Sequence, residues 1–310
     1  MSGPLPAIVG PTASGKTALA LDVADALGSE IVSVDSMVVY RRMDIGTAKP
    51  TAEERRRVPH HLLDVAEPSE PYSVARFQTE ARNAIGQIEH TGRRPLLVGG
   101  SGLYFRAVVD ELTFPGTDPG TREDLERQAE ALGAARMYER LASLDPAAAE
   151  RIEPANVRRV VRALEVAAIT GRPFSTFAAA WERYPTERVR AAGVGVPREV
   201  LMERIRVRVT RMLEAGWLDE VRGLLEAGFG GWLTATQAIG YAELARHLQG
   251  KMTLEAAGEA TVKRTGSLAR RQMAWFKRDP RVRWFDVGAG GAVEATDAIL
   301  AYLREARVAA

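Results

Sequence analysis

The sequence predicts an α/β fold: a parallel-sheet core built around a glycine-rich phosphate loop, an all-helical insertion, and a helical C-terminal region. Three observations carry this reading. Short apolar runs alternate with amphipathic stretches through the first hundred residues, as in a parallel sheet whose crossovers are helices. The run Gly10-Pro11-Thr12-Ala13-Ser14-Gly15-Lys16-Thr17 satisfies G-x-x-x-x-G-K-[ST] between a strand and a helix. Finally, the turn-rich Phe114-Pro-Gly-Thr-Asp-Pro-Gly120 opens a stretch with helical patterning and no strand.

The elements follow in order. Pro6–Gly10 reads as a buried strand, 15–27 as a helix, and Glu30–Asp35 as a second strand ending on a carboxylate. Tyr40–Pro50 has no regular period and forms a long loop, a feature that compact domains often reserve for function. Residues 73–90 suit a helix, and Pro95–Gly100 is a strand that enters a Gly-Ser-Gly turn. Helices follow around 120–132, 134–143, 146–152 and 155–170. Arg190–Val196 returns to the sheet. Helical stretches 198–227, 235–249 and 253–278, a strand over 282–287 and a last helix complete the chain. The expected domains are therefore a core of 1–115 and 186–310 and a helical insertion of 116–185.

Composition excludes several classes. The 310 residues are 46% hydrophobic, enough to bury a sizeable core. With no cysteine there are no disulfides, thiolate zinc sites or cysteine nucleophiles. Only His60 and His61 among four histidines are adjacent, so they are expected to pack or cap locally and not to bind metal. No apolar run reaches the roughly 20 residues of a membrane span, and the N-terminus lacks a signal-peptide pattern. A cytoplasmic protein is the expectation, and nothing demands an oligomer, so a monomer is expected. The formal charge of +2 is uninformative, but its make-up is uneven, with five lysines against 37 arginines.

The core expected around the phosphate loop is P-loop NTPase-like. Backbone N–H groups of the loop and of the following helix converge on an anion, Lys16 adds a charge, and Thr17 offers its hydroxyl to Mg2+ bridging phosphate oxygens. The loop alone does not say which polyphosphate binds. At the end of the second strand Asp35 faces this loop. A carboxylate there organises magnesium, caps a helix, lies solvated in the loop, or serves as a general base.

Basic residues bunch in two places. Residues 263–283 hold eight, including Arg270 and Arg271, against the single acid Asp279, with Trp275 and Phe276 among them. That pattern fits either a solvated helix face beside a core-packed aromatic pair or a phosphate-binding surface. In the insertion, Arg158, Arg159 and Arg162 cluster on one helix, with Arg158 and Arg162 sharing a face. Arg55-Arg56-Arg57 after Glu53-Glu54 reads as a charged helix turn.

Taken together, several ordered strings resemble the bacterial tRNA dimethylallyltransferase (tRNA isopentenyltransferase) family. They are the phosphate loop, Asp35-Ser36, Met43–Pro50, Pro59–Asp64, Leu97–Tyr104, Arg158–Glu165, Ile239–Tyr241 and Leu268–Phe276. The resemblance implies transfer of a dimethylallyl group from dimethylallyl diphosphate to the exocyclic amine of the adenosine 3′ of the anticodon, releasing diphosphate. It implies that Gly10 to Thr17 cradle the diphosphate with Mg2+ and that Asp35 receives or orients the amine proton. Ser101 stands where the family usually has threonine and keeps its hydroxyl at the reaction centre. Arg208 aligns by spacing with a family arginine that reaches the diphosphate, with Arg204 and Arg211 close by on the same helix. The tRNA anticodon arm is implied to meet Asp35, Ser36, Met37, Val38, Ser101, Gln237, Gly240, Tyr241, Arg270 and Arg271, and Arg158, Arg159 and Arg162 of the insertion. The sequence departs from the family at Val38, where glutamine is usual, and at Gln237, Ala238 and Ala242, near which some members place arginines.

Three rivals remain. A small-molecule kinase using ATP would explain the first 110 or so residues but not the basic helical remainder. A nucleic-acid-binding ATPase needs a magnesium-organising carboxylate after a hydrophobic strand, which Leu96–Gly100 lacks. An isopentenyltransferase acting on free adenine nucleotides would not need the long insertion.

Overall fold

A computed structural model describes residues 3–177, 179–288 and 295–304. Its contacts divide the chain into two units, Met1–Val109 with Pro185–Ala310, and Asp110–Tyr184. The first boundary falls a few residues before the 115/116 expected from the turn-rich segment.

The first unit begins with β1 (Leu5–Val9), whose five residues are all buried, and α1 (Lys16–Leu27). Left-handed glycines bound α1, Gly15 at φ 87° and Gly28 at φ 61°. Next come β2 (Ser29–Ser33), α2 (Ala52–Arg57), β3 (His60–His61), α3 (Val74–His90), β4 (Arg94–Gly99) and α4 (Gly102–Val109). The two-residue strand β3 and the helix α4 were not foreseen, being too short for a periodicity to show.

The second unit contains α5 (Pro119–Leu132), α6 (Ala134–Leu144), α7 (Pro146–Ala149) and α8 (Val157–Thr170), followed by two 3-10 turns. Leu125, Met137, Leu141, Val160 and Leu164 form its core. Glu165, fully buried, accepts from Arg122 at 2.5 Å, from Arg162 at 2.7 Å and from the Asp118 N–H at 3.1 Å. That carboxylate joins α8 to the start of α5.

The chain returns through β5 (Val189–Gly195), α9 (Arg198–Glu214), α10 (Trp217–Glu226), α11 (Tyr241–Leu248), α12 (Leu254–Lys277), β6 (Val282–Asp286) and α13 (Thr296–Arg304). The single helix expected over 198–227 is broken at Gly216, whose φ of 94° no helix interior accommodates.

All strand pairs are parallel, in the order β3-β2-β4-β1-β5-β6. Ile8, Leu19, Val23, Ile31, Leu96, Val194, Ile205 and Ile299 form the main core, joining the sheet to α1, α9 and α13. Phe105 packs edge-on to Phe276, joining α4 to α12. The register sets Val9 beside Gly99 and Ser33 beside Val98. The carboxyl ends of β1, β2 and β4 therefore lie together, where open α/β sheets bind their ligands.

Candidate active site

Those three strand ends open into a cavity of about 420 Å³. Thr12, Lys16 and Thr17 of the phosphate loop line it, with Asp35 to Val38 beyond β2, Ile205 and Arg208 of α9, Gln237, and Arg271 and Gln272 of α12. A wider groove of about 1060 Å³ meets it at Lys16, Thr17, Ala48, Pro50, Arg208 and Met212. The phosphate loop thus faces two spaces that share one wall.

Local geometry makes the loop an anion site. No side chain caps α1 and no acid lies in its first turn, so the N–H groups there remain available to a ligand. Lys16 Nζ donates to Pro11 O at 3.1 Å. Burial, set against the nearby Asp35 carboxylate and reinforced by Arg208, pushes the Lys16 amine down to about 8. Burial likewise lowers the Arg208 guanidinium from its ordinary value, with Asp35 opposing. Arg208 has no hydrogen-bond or ion-pair partner among the described residues. Two cations therefore face this space with one nearby carboxylate, an arrangement that favours a multiply charged anion.

Asp35 lies just past β2, and its Oδ1 accepts from the Met37 N–H at 2.8 Å. That bond orients the carboxylate and leaves Oδ2 without a partner among the described residues. The Thr17 hydroxyl is exposed and also has no hydrogen-bond partner among them. No cluster of three metal-ligating acids or histidines occurs among the described residues. A divalent ion would rest on the Thr17 hydroxyl and on ligand oxygens, which suits the reluctance of Mg2+ to shed water.

The structure brings together most of the expected site. Of the phosphate loop, Gly10, Pro11 and Ser14 are buried beneath the cavity, and Ala13 and Gly15 line the outer groove. Ser36, Met37, Val38, Gln237, Arg208 and Arg271 line the cavity as grouped. Of the three candidate arginines on α9, only Arg208 touches both spaces; Arg204 and Arg211 line the groove alone.

Other expected residues lie elsewhere. Ser101 does not line the cavity; its Oγ accepts from the Tyr104 N–H at 3.4 Å as the cap of α4. Its own N–H bonds Val34 O at 3.3 Å, next to the strand end that carries Asp35. Tyr241 is fully buried and donates its hydroxyl to Glu220 at 2.7 Å. Gly240 must lack a side chain, because a Cβ there would lie 2.0 Å from the Trp217 ring. Arg270 is exposed and donates to Ser267 Oγ. In the insertion Arg158 and Arg159 are exposed, whereas Arg162 is held by Glu165 and by the Pro115 and Gly116 carbonyls at 2.7 and 3.0 Å. Internal ion pairing and hydrogen bonding, not charge display, account for Arg162. The aromatic pair also splits: Phe276 is buried, while Trp275 is 39% exposed.

Three residues escaped the sequence. Glu220 accepts from the N–H groups of Asp44 and Ile45 at 2.8 Å each and of Gly46 at 3.2 Å. Lys49, buried, donates to Tyr40 O, to Asp44 at 2.7 Å and to Asp64 at 2.6 Å. Together they fix the loop 40–50 that walls both spaces. Gln272 Oε1 accepts from the Thr12 N–H at 2.8 Å. The strings 43–50 and 268–276 contain Lys49 and Gln272 without revealing their partners, and nothing in the sequence marked Glu220.

Known proteins resemble this chain in both sequence and fold. The family model described as IPP transferase matches residues 38–279, and one described as isopentenyl transferase matches 4–66. A tRNA dimethylallyltransferase of Thermobifida fusca is 51% identical over 95% of this chain and 93% of its own. One from Nocardioides sp. is 49% identical over 96% of both. The crystal structure of a tRNA isopentenylpyrophosphate transferase from Bacillus halodurans superposes with a TM-score of 0.69 at 40% identity, covering 98% of this chain and 97% of its own. A eukaryotic dimethylallyltransferase acting on tRNA gives 0.78 at 28% identity, covering 96% of this chain and 76% of its own.

Proposed function

Because the chain belongs to the IPP transferase family, we propose that this cavity moves a dimethylallyl group from dimethylallyl diphosphate to the N6 amine of the adenosine 3′ of a tRNA anticodon. Diphosphate is the other product. One observation carries the reading: Lys16 and Arg208 face the same cavity as Asp35, which has a carboxylate oxygen to spare.

The chemistry asks for that pairing. The N6 lone pair forms a bond to the allylic carbon as the carbon–oxygen bond breaks, and those electrons leave on the diphosphate. Lys16, Arg208 and the first-turn N–H groups of α1 stabilise the charge that develops there. Asp35 Oδ2 accepts the amine proton, which an exocyclic amine delocalised into its ring does not readily lose unaided. Bound Mg2+, held by Thr17 and phosphate oxygens, would offset further charge on the leaving group. Ile31, Val98, Ile205 and Val209 supply apolar lining suited to a five-carbon chain. The target base must leave its stack to reach Asp35, and we assign its contacts to Ser36, Met37, Val38 and Gln237, which line the same cavity. We assign the anticodon arm to Arg271 and the exposed cations of α12, and to Arg158 and Arg159 of the insertion. No described helix is long and apolar enough to cross a membrane. A cytoplasmic monomer is the working state.

The test is direct. The protein and Mg2+ are incubated with labelled dimethylallyl diphosphate and unmodified tRNA bearing adenosine 3′ of the anticodon. Label is expected on that adenosine; turnover of ATP without any transfer would overturn the reading in favour of a kinase.

A further inference from the structure

We infer that Gln272 is a positioning residue that ties the phosphate loop to α12, so that diphosphate and RNA bind with positive coupling. The inference rests on the cavity reading above and adds a link between its two halves.

The link is one hydrogen bond between groups 260 positions apart in the chain, from Thr12 N–H to Gln272 Oε1 at 2.8 Å. Gln272 is buried, at 9% exposure. Its neighbour Arg271 is exposed and lines the cavity, as do Ser267 and Leu268 one turn earlier. A single turn of α12 therefore offers a cation to the cavity and an acceptor to the loop.

Packing leaves this contact little slack. A Cβ at Gly100 would lie 2.5 Å from Gln272 Nε2, and one at Gly102 would lie 1.8 Å from the Trp275 ring. The turn after β4 is thus pressed against the same face of α12. The Thr12 N–H points at the helix and not at a ligand, so its bond sets the shape of the loop. That shape in turn aims the N–H groups of α1 at the anion.

Coupling follows from this arrangement. A polyanion drawn to Arg271 and to the exposed Arg270, Lys263, Lys277 and Arg278 restrains α12. Through Gln272 the restraint reaches the phosphate loop and lowers the ordering cost of binding diphosphate. By linkage, diphosphate must strengthen RNA binding by the same factor.

The experiment titrates inorganic diphosphate with Mg2+ into the full chain by calorimetry, with and without an unmodified anticodon stem-loop RNA. Wild type is expected to bind diphosphate several-fold more tightly with RNA present. Gln272→Met keeps the bulk and loses the acceptor. It should weaken diphosphate roughly five- to tenfold, the worth of one hydrogen bond to a buried donor, and bring the coupling factor to about one. RNA affinity without diphosphate should stay unchanged. Gln272→Glu retains an acceptor and should retain the coupling, which a merely structural role would not predict. In turnover, Gln272→Met should raise KM for the prenyl diphosphate far more than it lowers kcat. Unchanged diphosphate affinity and coupling in Gln272→Met overturn the inference. So does a loss confined to RNA affinity, which would make Gln272 an RNA contact. Wild type that binds no diphosphate at all would instead sink the cavity reading, and this inference with it.

Discussion

Lys16 makes the affinity for diphosphate depend on pH in a way its surroundings fix. Burial, partly offset by Asp35 and reinforced by Arg208, brings its amine from 10.5 to about 8. A bound diphosphate adds negative charge to that of Asp35 and returns the amine toward its ordinary value. The gap is worth about 3 kcal/mol, so binding takes up a proton whenever the pH exceeds about 8. The sign follows: affinity is full below that value and falls as pH rises through it. Between pH 7 and 9 the loss is roughly tenfold, with a limit of roughly 300-fold near the ordinary lysine value. The assay is calorimetric titration of inorganic diphosphate at half-unit steps of pH. Lys16→Arg serves as reference, because arginine stays charged throughout and the ligand's own ionisation cancels in the ratio of the two proteins. A ratio that stays flat between pH 7 and 9 would refute the burial argument and leave Lys16 an ordinary surface amine.

Asp35→Asn keeps the size and an acceptor but removes the base; single-turnover transfer should slow by 10²–10⁴-fold with tRNA affinity nearly unchanged. Equal loss in both would make Asp35 a binding residue. Glu220→Gln should cost about 1–3 kcal/mol in denaturant unfolding, since its carboxylate serves three backbone donors and the Tyr241 hydroxyl. Combined with Tyr241→Phe the cost should be less than additive, and strict additivity would show that the pair does not act together. Replacing Arg158 and Arg159 with alanine should weaken tRNA binding and reduce the slope of log affinity against log salt by about one to two; a parallel line would exclude phosphate contact. Acid should loosen the 40–50 loop: burial opposes the Asp64 carboxylate, but hydrogen bonds from Lys49 and Arg55 hold it below its ordinary value. Its contribution is complete above about pH 4 and is lost as pH falls through the lowered value, read as rising hydrogen exchange at residues 44–49.

What the sequence disclosed depended on how local the cause was. The phosphate loop and the strands β1, β2, β4, β5 and β6 were legible because neighbouring residues determine them. So were the helices of the insertion, whose apolar faces repeat within each segment. Arg208 was legible only through spacing in a resemblance, and its place at the wall shared by both spaces comes from the packing of α9. The roles of Glu220, Lys49 and Gln272 were not legible, since each depends on a partner brought near by the finished fold. Basic residues misled in part for the same reason. Arg281 belongs to the basic run of 263–283, yet it is buried against Asp279 with paired contacts of 2.9 and 2.7 Å. Arg264 similarly meets Glu243. Counting charge along a chain cannot tell a displayed cation from a neutralised one.

The same close packing bears on whether a loop so common in nucleotide hydrolases is equipped for ATP hydrolysis in this chain. Hydrolysis of ATP at such a loop asks for a carboxylate at a neighbouring strand end, to organise magnesium and water. In this chain β4, the strand beside the loop, ends in Gly99 and Gly100. A Cβ at Gly99 would lie 2.3 Å from Val34 O, and one at Gly100 2.5 Å from Gln272 Nε2. An acidic side chain has no room at Gly99, where the contact is with backbone, and at Gly100 it would have to displace the Gln272 amide. The space is filled by the residue that holds the loop to α12. The carboxylate appears instead beyond β2, as Asp35, facing Lys16 and Arg208 within one cavity. A carboxylate so placed is suited to accept a proton from an incoming nucleophile while the cations hold the departing anion. Crowding at the end of β4 and the position of Asp35 therefore disfavour one chemistry and suit the other from the same few residues.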